Sequence, residues 1–315
     1  MQLFSMMIAV LALAQAPAAP LPPAYLNALQ VQVMLDRAGF SPGVIDGRMG
    51  ASTKNALAVF RKQGAQEQAV EPVTRYRITA EDMAGPFVTI PSDMMQKASL
   101  SALGYTSLLE AIAERFHSTP TFLQQLNPDA RFAEGEEIEV PNVEAMVMPI
   151  SPSKLPVEKP LEEPILEAAP TRKAVPTKPD VVVTVTKRMS ALTVTDTNGR
   201  IVLYAPVTTG SKHDPLPIGK WKVNGVRFNP TFRYNPHLFW NANPRDAKVT
   251  IPAGPNNPVG LVWIDISKEH YGLHGTPEPS AIGRAQSHGC VRLTNWDALK
   301  LAGLVKPGTQ VLFKK

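Results

Sequence analysis

Ser287-His288-Gly289-Cys290-Val291-Arg292 contains the only cysteine of a 315-residue chain, and His274-Gly275-Thr276 stands ahead of it. A thiol becomes a nucleophile when a nearby imidazole takes its proton and a third acceptor holds that imidazole in the right tautomer. Backbone N–H groups close to the sulfur can form an oxyanion hole, favoured by a glycine that lets the chain approach a substrate, and Gly289 is so placed. Other readings stand beside this one. A lone cysteine is by default a small buried hydrophobe. His288 and Cys290 share one face of a strand and, with His274, offer zinc-ligating side chains, although no fourth ligand stands out. Arg292 reads either as a substrate contact or as a surface ion pair with Asp297 or Asp265. His213, His237 and His270 read as solvated or structural residues.

Around the hexapeptide the C-terminal region is strand-rich. Residues 180–186 and 191–195 are β-branched runs, and Asp196-Thr197-Asn198-Gly199 is a hairpin turn before residues 200–205. All four tryptophans, Trp221, Trp240, Trp263 and Trp296, lie here, which places the largest core in this part. Residues 254–260 are turn-rich and read as a flap or the edge of a substrate groove. Together with Thr209-Gly210, Pro217-Ile218-Gly219-Lys220-Trp221 and Leu293-Thr294-Asn295-Trp296-Asp297-Ala298, the hexapeptide is similar to the catalytic domain of the L,D-transpeptidases, the YkuD family. Its [S/T]-H-G-C-x-[R/N] signature is matched at every position of 287–292.

The resemblance implies a mainly β catalytic domain over 181–315, with Cys290 as nucleophile, His274 as base and the Gly275 carbonyl orienting that base. Backbone amides around His288, Gly289 and Cys290 are the implied oxyanion donors. Arg292, Ser287 and Thr276 are the implied substrate contacts. It implies no cofactor and no metal. The implied reaction is acyl transfer: the thiol attacks the amide before the terminal D-Ala of a tetrapeptide stem, D-Ala leaves, and an amine resolves the thioester. The acceptor stays open among another stem peptide, an envelope protein, a D-amino acid and water. A wall cysteine peptidase is disfavoured because His274 precedes Cys290, and a non-catalytic anchor because His274, Cys290 and Gly289 are all present.

Upstream, helical periodicity flanks the turn-dense run from Ala38 to Gly50, and Ser52 or Thr53 can cap the second helix. Gly39, Gly43, Asp46, Gly47, Gly50, Thr53, Ala56 and Phe60 resemble the pattern of the small three-helix peptidoglycan-binding domain, assigned to 26–64. Residues 104–142 read as helix, turn, helix and short strand. Ile112-Ala113-Glu114-Arg115-Phe116, Leu123, Leu126-Asn127-Pro128, Gly135, Ile138 and Val140-Pro141 look like a LysM module, a glycan-binding family, with Tyr105–Leu108 as a shortened opening strand. Residues 144–179 form a linker, with eight prolines between Pro149 and Pro179.

Residues 1–16 are apolar and end Ala14-Gln15-Ala16, which predicts a signal peptide and a periplasmic or envelope location. The expected architecture is an α+β multidomain chain. Hydrophobic residues at 44% and charged residues at 19% exclude whole-chain disorder. No apolar run reaches the ~20 residues of a membrane span. A net charge of +5 is too mild for a nucleic-acid partner but suits an anionic polymer, so the expected partners are peptidoglycan stem peptides and glycan.

Overall fold

A computed structural model describes residues 23–148, 180–240, 242–284 and 289–315. The expected signal peptide, the linker beyond Met148, and Ser287 and His288 lie outside the described residues. Helix α1 (Pro23–Arg37) and helix α2 (Ala51–Lys62) bury Leu29, Val33, Ala56 and Phe60, the spacing legible in the sequence. Between Pro23 and Gly64 there are two helices, not the expected three, because the chain leaves α2 through Gly64 at φ +77° and runs on without helix to Pro72. Neither Ser52 nor Thr53 caps α2. Gly50 occupies that position, and Thr53 turns inward, where its hydroxyl receives Gln32 Nε2 at 3.2 Å.

The next unit begins with strand β1 (Val73–Arg77), followed by helices α3 (Ala80–Met83), α4 (Met94–Ala98), α5 (Leu108–Arg115) and α6 (Pro120–Leu126) and by strand β2 (Glu137–Pro141). β1 pairs antiparallel with β2, from Val73 opposite Pro141 to Arg77 opposite Glu137. The opening strand is therefore Val73–Arg77 and not Tyr105–Leu108, where Ser107 instead caps α5 by accepting Glu110 N. The intervening segment with α3 and α4 separates this strand from α5 in sequence. Ile112, Phe122, Leu123, Ile138 and Val140 form the core beneath the strands. Residues 144–148, expected to begin the linker, are docked: Met146 N donates to Arg115 O at 2.8 Å, and its side chain is buried in the C-terminal core.

The C-terminal half contains strands β3 (Val181–Thr186), β4 (Ala191–Asp196), β5 (Ile201–Pro206), β6 (Gly219–Phe228), β7 (Phe232–Tyr234), β8 (Val249–Ile251), β9 (Val262–Ile266), β10 (Gly272–His274) and β11 (Val291–Arg292). Helix α7 (Asn295–Leu304) and strand β12 (Gln310–Lys314) complete it. Eight strands form one mixed sheet in the order β11-β10-β9-β6-β12-β3-β4-β5, and β7 and β8 form a side hairpin. Asp196 Oδ1 accepts Asn198 N and Arg200 N at 2.9 Å, building the expected β4–β5 turn. The core is Val, Leu and Ile from the alternating inner faces, closed by α7. Of the tryptophans only Trp296 is fully buried, and Trp240 is 58% exposed, so aromatic count located the core without composing it.

The two halves share a buried interface. β5 is the outer strand of the sheet, and the loop after α1 runs along it: Tyr204 N donates to Gly39 O and Ser41 N to Tyr204 O, both at 2.8 Å. A Cβ on Gly39 would stand 2.9 Å from the Val202 carbonyl oxygen, so this approach needs glycine. Ser41 Oγ donates to Asp297 Oδ2 at 2.9 Å, and Lys300 Nζ to Asp36 Oδ1 at 2.9 Å. His117 Nδ1 meets Asp36 Oδ2 at 3.0 Å, and its ring stacks on Trp296 at 5.2 Å. Burial pushes the Asp36 carboxyl up, but His117 and Lys300 outweigh it and hold the group well below the usual carboxylate range. Burial pushes the Asp297 carboxyl up to about 6.

A second contact joins Leu103 to the β7–β8 hairpin, with Tyr234 and Ile251 buried beside it. Residues 254–260 belong to this contact. Leu103 N donates to Ala253 O at 2.8 Å, and Asn256 Nδ2 donates to Gly104 O at 2.9 Å and Glu110 Oε1 at 3.0 Å. They are a buried joint, not the flap their turn residues suggested.

Candidate active site

β10 is three buried residues, Gly-Leu-His, set between β9 and β11. Leu273 pairs with Val291 and His274 with Arg292 on the parallel side, while Trp263 on β9 pairs with His274 on the other. Leu273 and Val291 point into the core, so alternation turns His274 and Arg292 to the opposite face. Continuing the register by one residue sets Cys290 across from Gly272, diagonal to His274 on that face. The Gly272 backbone N–H donates to the sulfur, and Cys290 Sγ donates to His270 O at 3.8 Å.

His274 is fixed from two sides. Its ring stacks on Trp263 at 5.4 Å between centroids with 21° between planes, and Nδ1 lies 2.7 Å from Gly275 O. A carbonyl oxygen only accepts, so Nδ1 carries the proton and Nε2 presents its lone pair. Gly289 has φ +105°, and a Cβ there would stand 2.7 Å from the Tyr271 ring, so a glycine is required beside the cysteine.

Arg292 is partly buried. Its backbone exchanges hydrogen bonds with Thr208 at 2.9 and 3.0 Å, and its charge acts on Cys290, His274 and Glu278. Neither carboxylate proposed as its ion-pair partner serves: Asp297 faces Ser41, and Asp265 Oδ2 receives Asn224 Nδ2 at 2.8 Å. Thr276 is buried, and its hydroxyl accepts Glu278 N at 3.3 Å. His213 stacks on the exposed Trp240 at 4.9 Å, His237 lies in the short 3-10 turn Pro236–Leu238, and His270 pairs with Glu269 at 3.5 Å.

The sequence profile of the YkuD family, the L,D-transpeptidase catalytic domain, matches residues 179–312. The putative L,D-transpeptidase YqjB of Bacillus subtilis (strain 168) is 32% identical over 139 residues, which span 42% of this chain and 70% of that relative. The chain belongs to the YkuD family of L,D-transpeptidases. The putative L,D-transpeptidase YkuD of Bacillus licheniformis is 49% identical over 70 residues, 22% of this chain and 42% of that one, so the chain spans about two-fifths of that relative's length. Among solved structures, L,D-transpeptidase 3 from Mycobacterium tuberculosis aligns with a TM-score of 0.37 at 19% identity, covering 44% of this chain and 61% of that chain.

In this L,D-transpeptidase domain burial favours the neutral form of both groups. Burial, with the nearby Arg292 charge second, pulls the His274 imidazole down to about 3 against the opposing hydrogen bond to Gly275. Burial pushes the Cys290 thiol up, and the Gly272 N–H and Arg292 recover only part of that rise. Alkylation of Cys290 by iodoacetamide is expected to be slow at pH 7 and to climb about tenfold per pH unit past pH ~9, read by mass of the intact protein. A plateau reached near neutrality would mean a resting thiolate–imidazolium pair instead.

Four residues around the site were not singled out as site residues in the sequence: Trp263, Tyr271, Asn295 and Glu114. Trp263 was read only as core, Tyr271 just precedes β10, and the last two join across the interface between halves.

Proposed function

We propose that the protein is a peptidoglycan L,D-transpeptidase. The observation that carries this is the His274 Nδ1–Gly275 O hydrogen bond, on a strand whose neighbour begins just after Cys290. With Nδ1 committed, Nε2 takes the thiol proton as Sγ attacks the amide carbonyl between the third residue of a stem tetrapeptide and its terminal D-Ala. The Gly289 and Cys290 region supplies backbone N–H groups toward the oxyanion. His274 then returns the proton to the departing D-Ala nitrogen, leaving a thioester on Cys290. An amine from the acceptor attacks that thioester, gives its proton to His274 and restores the thiol. Arg292, beside the sulfur and carrying a full charge, suits a substrate carboxylate.

The N-terminal half fits a wall-binding part. The α1–α2 loop, α6 and residues 279–284 line a cleft of about 310 Å3 that includes Arg48, Thr121, Gln125 and Arg284, polar side chains suited to glycan or stem peptide. Export to the periplasm or envelope follows from the leader-like first 16 residues, and among the described residues no helix is long and apolar enough to cross a membrane.

The test is incubation of the purified protein with a disaccharide tetrapeptide, with products read by mass. A dimer lacking one D-Ala supports transpeptidation, a tripeptide supports resolution by water, and unchanged substrate overturns the reading. His274→Ala is expected to lower the rate by a factor on the order of 10²–10⁴ in the same assay, the usual size of a general-base contribution.

A further inference from the structure

Asn295 opens α7, but its carboxamide reaches back beneath β10. Oδ1 accepts Leu261 N at 3.0 Å, and Cβ atoms on Gly260 and Gly275 would stand only 2.0 and 2.1 Å from that oxygen. The amide therefore lies flush against the peptide units of both glycines. Gly275 is the residue whose carbonyl holds His274 Nδ1, and Leu293 N donates to His274 O at 2.8 Å from the strand beyond. On its other end, Asn295 Nδ2 donates to Pro255 O at 3.2 Å and to Glu114 Oε1 at 2.9 Å. Glu114 comes from α5, in the other half of the chain, and is buried.

An amide has one accepting and one donating end of nearly equal size, so its partners decide which way it points. Glu114 Oε1 and Pro255 O are both acceptors and hold the nitrogen away from β10. Reversed, the amide would set its NH2 against the Leu261 N–H, two donors facing each other in a buried site, which leaves both unsatisfied. We infer that Glu114, contributed by the N-terminal half, is a positioning residue for His274: it fixes the Asn295 amide, which seats Gly275 and hence the carbonyl that orients the imidazole. This rests on His274 being the base of the reaction proposed above. The N-terminal half is then part of the catalytic apparatus and not only a wall anchor.

The test uses the full chain with Glu114→Met, which keeps the volume and removes the acceptor, and Glu114→Gln, which keeps an oxygen for Asn295 Nδ2. Two readouts are taken: kcat and KM on the disaccharide tetrapeptide, and the His274 Nδ1–H resonance in 15N-histidine-labelled protein. Glu114→Met is expected to lose about tenfold or more in kcat with KM within about twofold, since small misplacement of a catalytic group acts on the chemical step. Its Nδ1–H resonance should move, and Glu114→Gln should restore both. Parent kcat and an unmoved resonance in Glu114→Met, even with a lowered melting temperature, would overturn the inference by leaving Glu114 a purely structural role. If the parent itself turns over no tetrapeptide, the transpeptidase reading fails while the resonance still decides the positioning role. Should Glu114→Met fail to fold, Asn295→Ala takes its place with the same two readouts and the same deciding outcomes.

Discussion

Cys290→Ala and Cys290→Ser should both turn over no tetrapeptide above background, while each melts within a few degrees of the parent. The stability expectation is modest because Cys290 is only half-buried and its contact with the His270 carbonyl, at 3.8 Å, is weak. The activity expectation is severe for alanine because no nucleophile remains. For serine it follows from the base. An imidazole drawn down to about 3 already faces a thiol raised above its ordinary range, so proton transfer between them is uphill in the resting site. An alcohol is less acidic still, so Ser Oγ adds several more kcal/mol to the same step. Circular dichroism melts and the mass assay check the pair together, and a serine variant at a tenth or more of parent rate would remove the thiol's acidity from the mechanism.

A chain beginning at Asp180 should not behave as an independent catalytic domain. The linker composition suggested two halves joined by a spacer. The buried interface changes that expectation. Removing residues 1–179 uncovers Tyr204, which stacks on Phe40, and one face of Trp296, which stacks on His117; re-exposing this aromatic surface costs roughly 2–4 kcal/mol. Asp297 and Asn295 lose Ser41 and Glu114, leaving buried polar groups short of partners. The fragment is expected to melt well below the full chain or to aggregate, and to lose turnover even of soluble muropeptides. Equal melting temperatures for fragment and full chain in scanning calorimetry would show that the interface contributes nothing.

What could be read in the sequence was the chemistry that is local. Six consecutive residues, 287–292, combine a thiol, an adjacent glycine, an imidazole and a guanidinium, and no fold needs to be known to see what they can do together. His274 with Gly275 was legible for the same reason, since the orienting carbonyl is one residue away. The strands flanking the Asp196–Gly199 turn were legible because β-branched alternation and turn chemistry agree there. What escaped was what depends on distant pairing. β1 was missed because its partner β2 lies on the far side of α3 to α6, and Tyr105–Leu108 was offered in its place. Residues 254–260 were read as an exposed flap because glycine, proline and asparagine are surface residues on average, yet here Leu103, Gly104 and Glu110 cover them. Glu114 carried no signal for a role near the site: it stood only within the LysM-like run, and a glutamate in an amphipathic helix reads as solvated until the other half of the chain is laid over it.

Asp36 and Lys300 stand near opposite ends of the described chain, and so do Ser41 and Asp297, separated by 264 and 256 positions. During synthesis the N-terminal half emerges long before the residues that neutralise it. Until α7 arrives, Asp36 lacks Lys300 and Ser41 lacks Asp297. Contacts of such sequence separation form late, because nearly the whole chain must be ordered first. Closure of the interface is thus set to be the slow, final step of folding, and the imidazole of His274 acquires its full support only when that step is done. A chain that stalls or is clipped before Asn295 would carry a folded-looking front end with a bare flank, a species that proteases and holding chaperones can tell apart from the finished molecule.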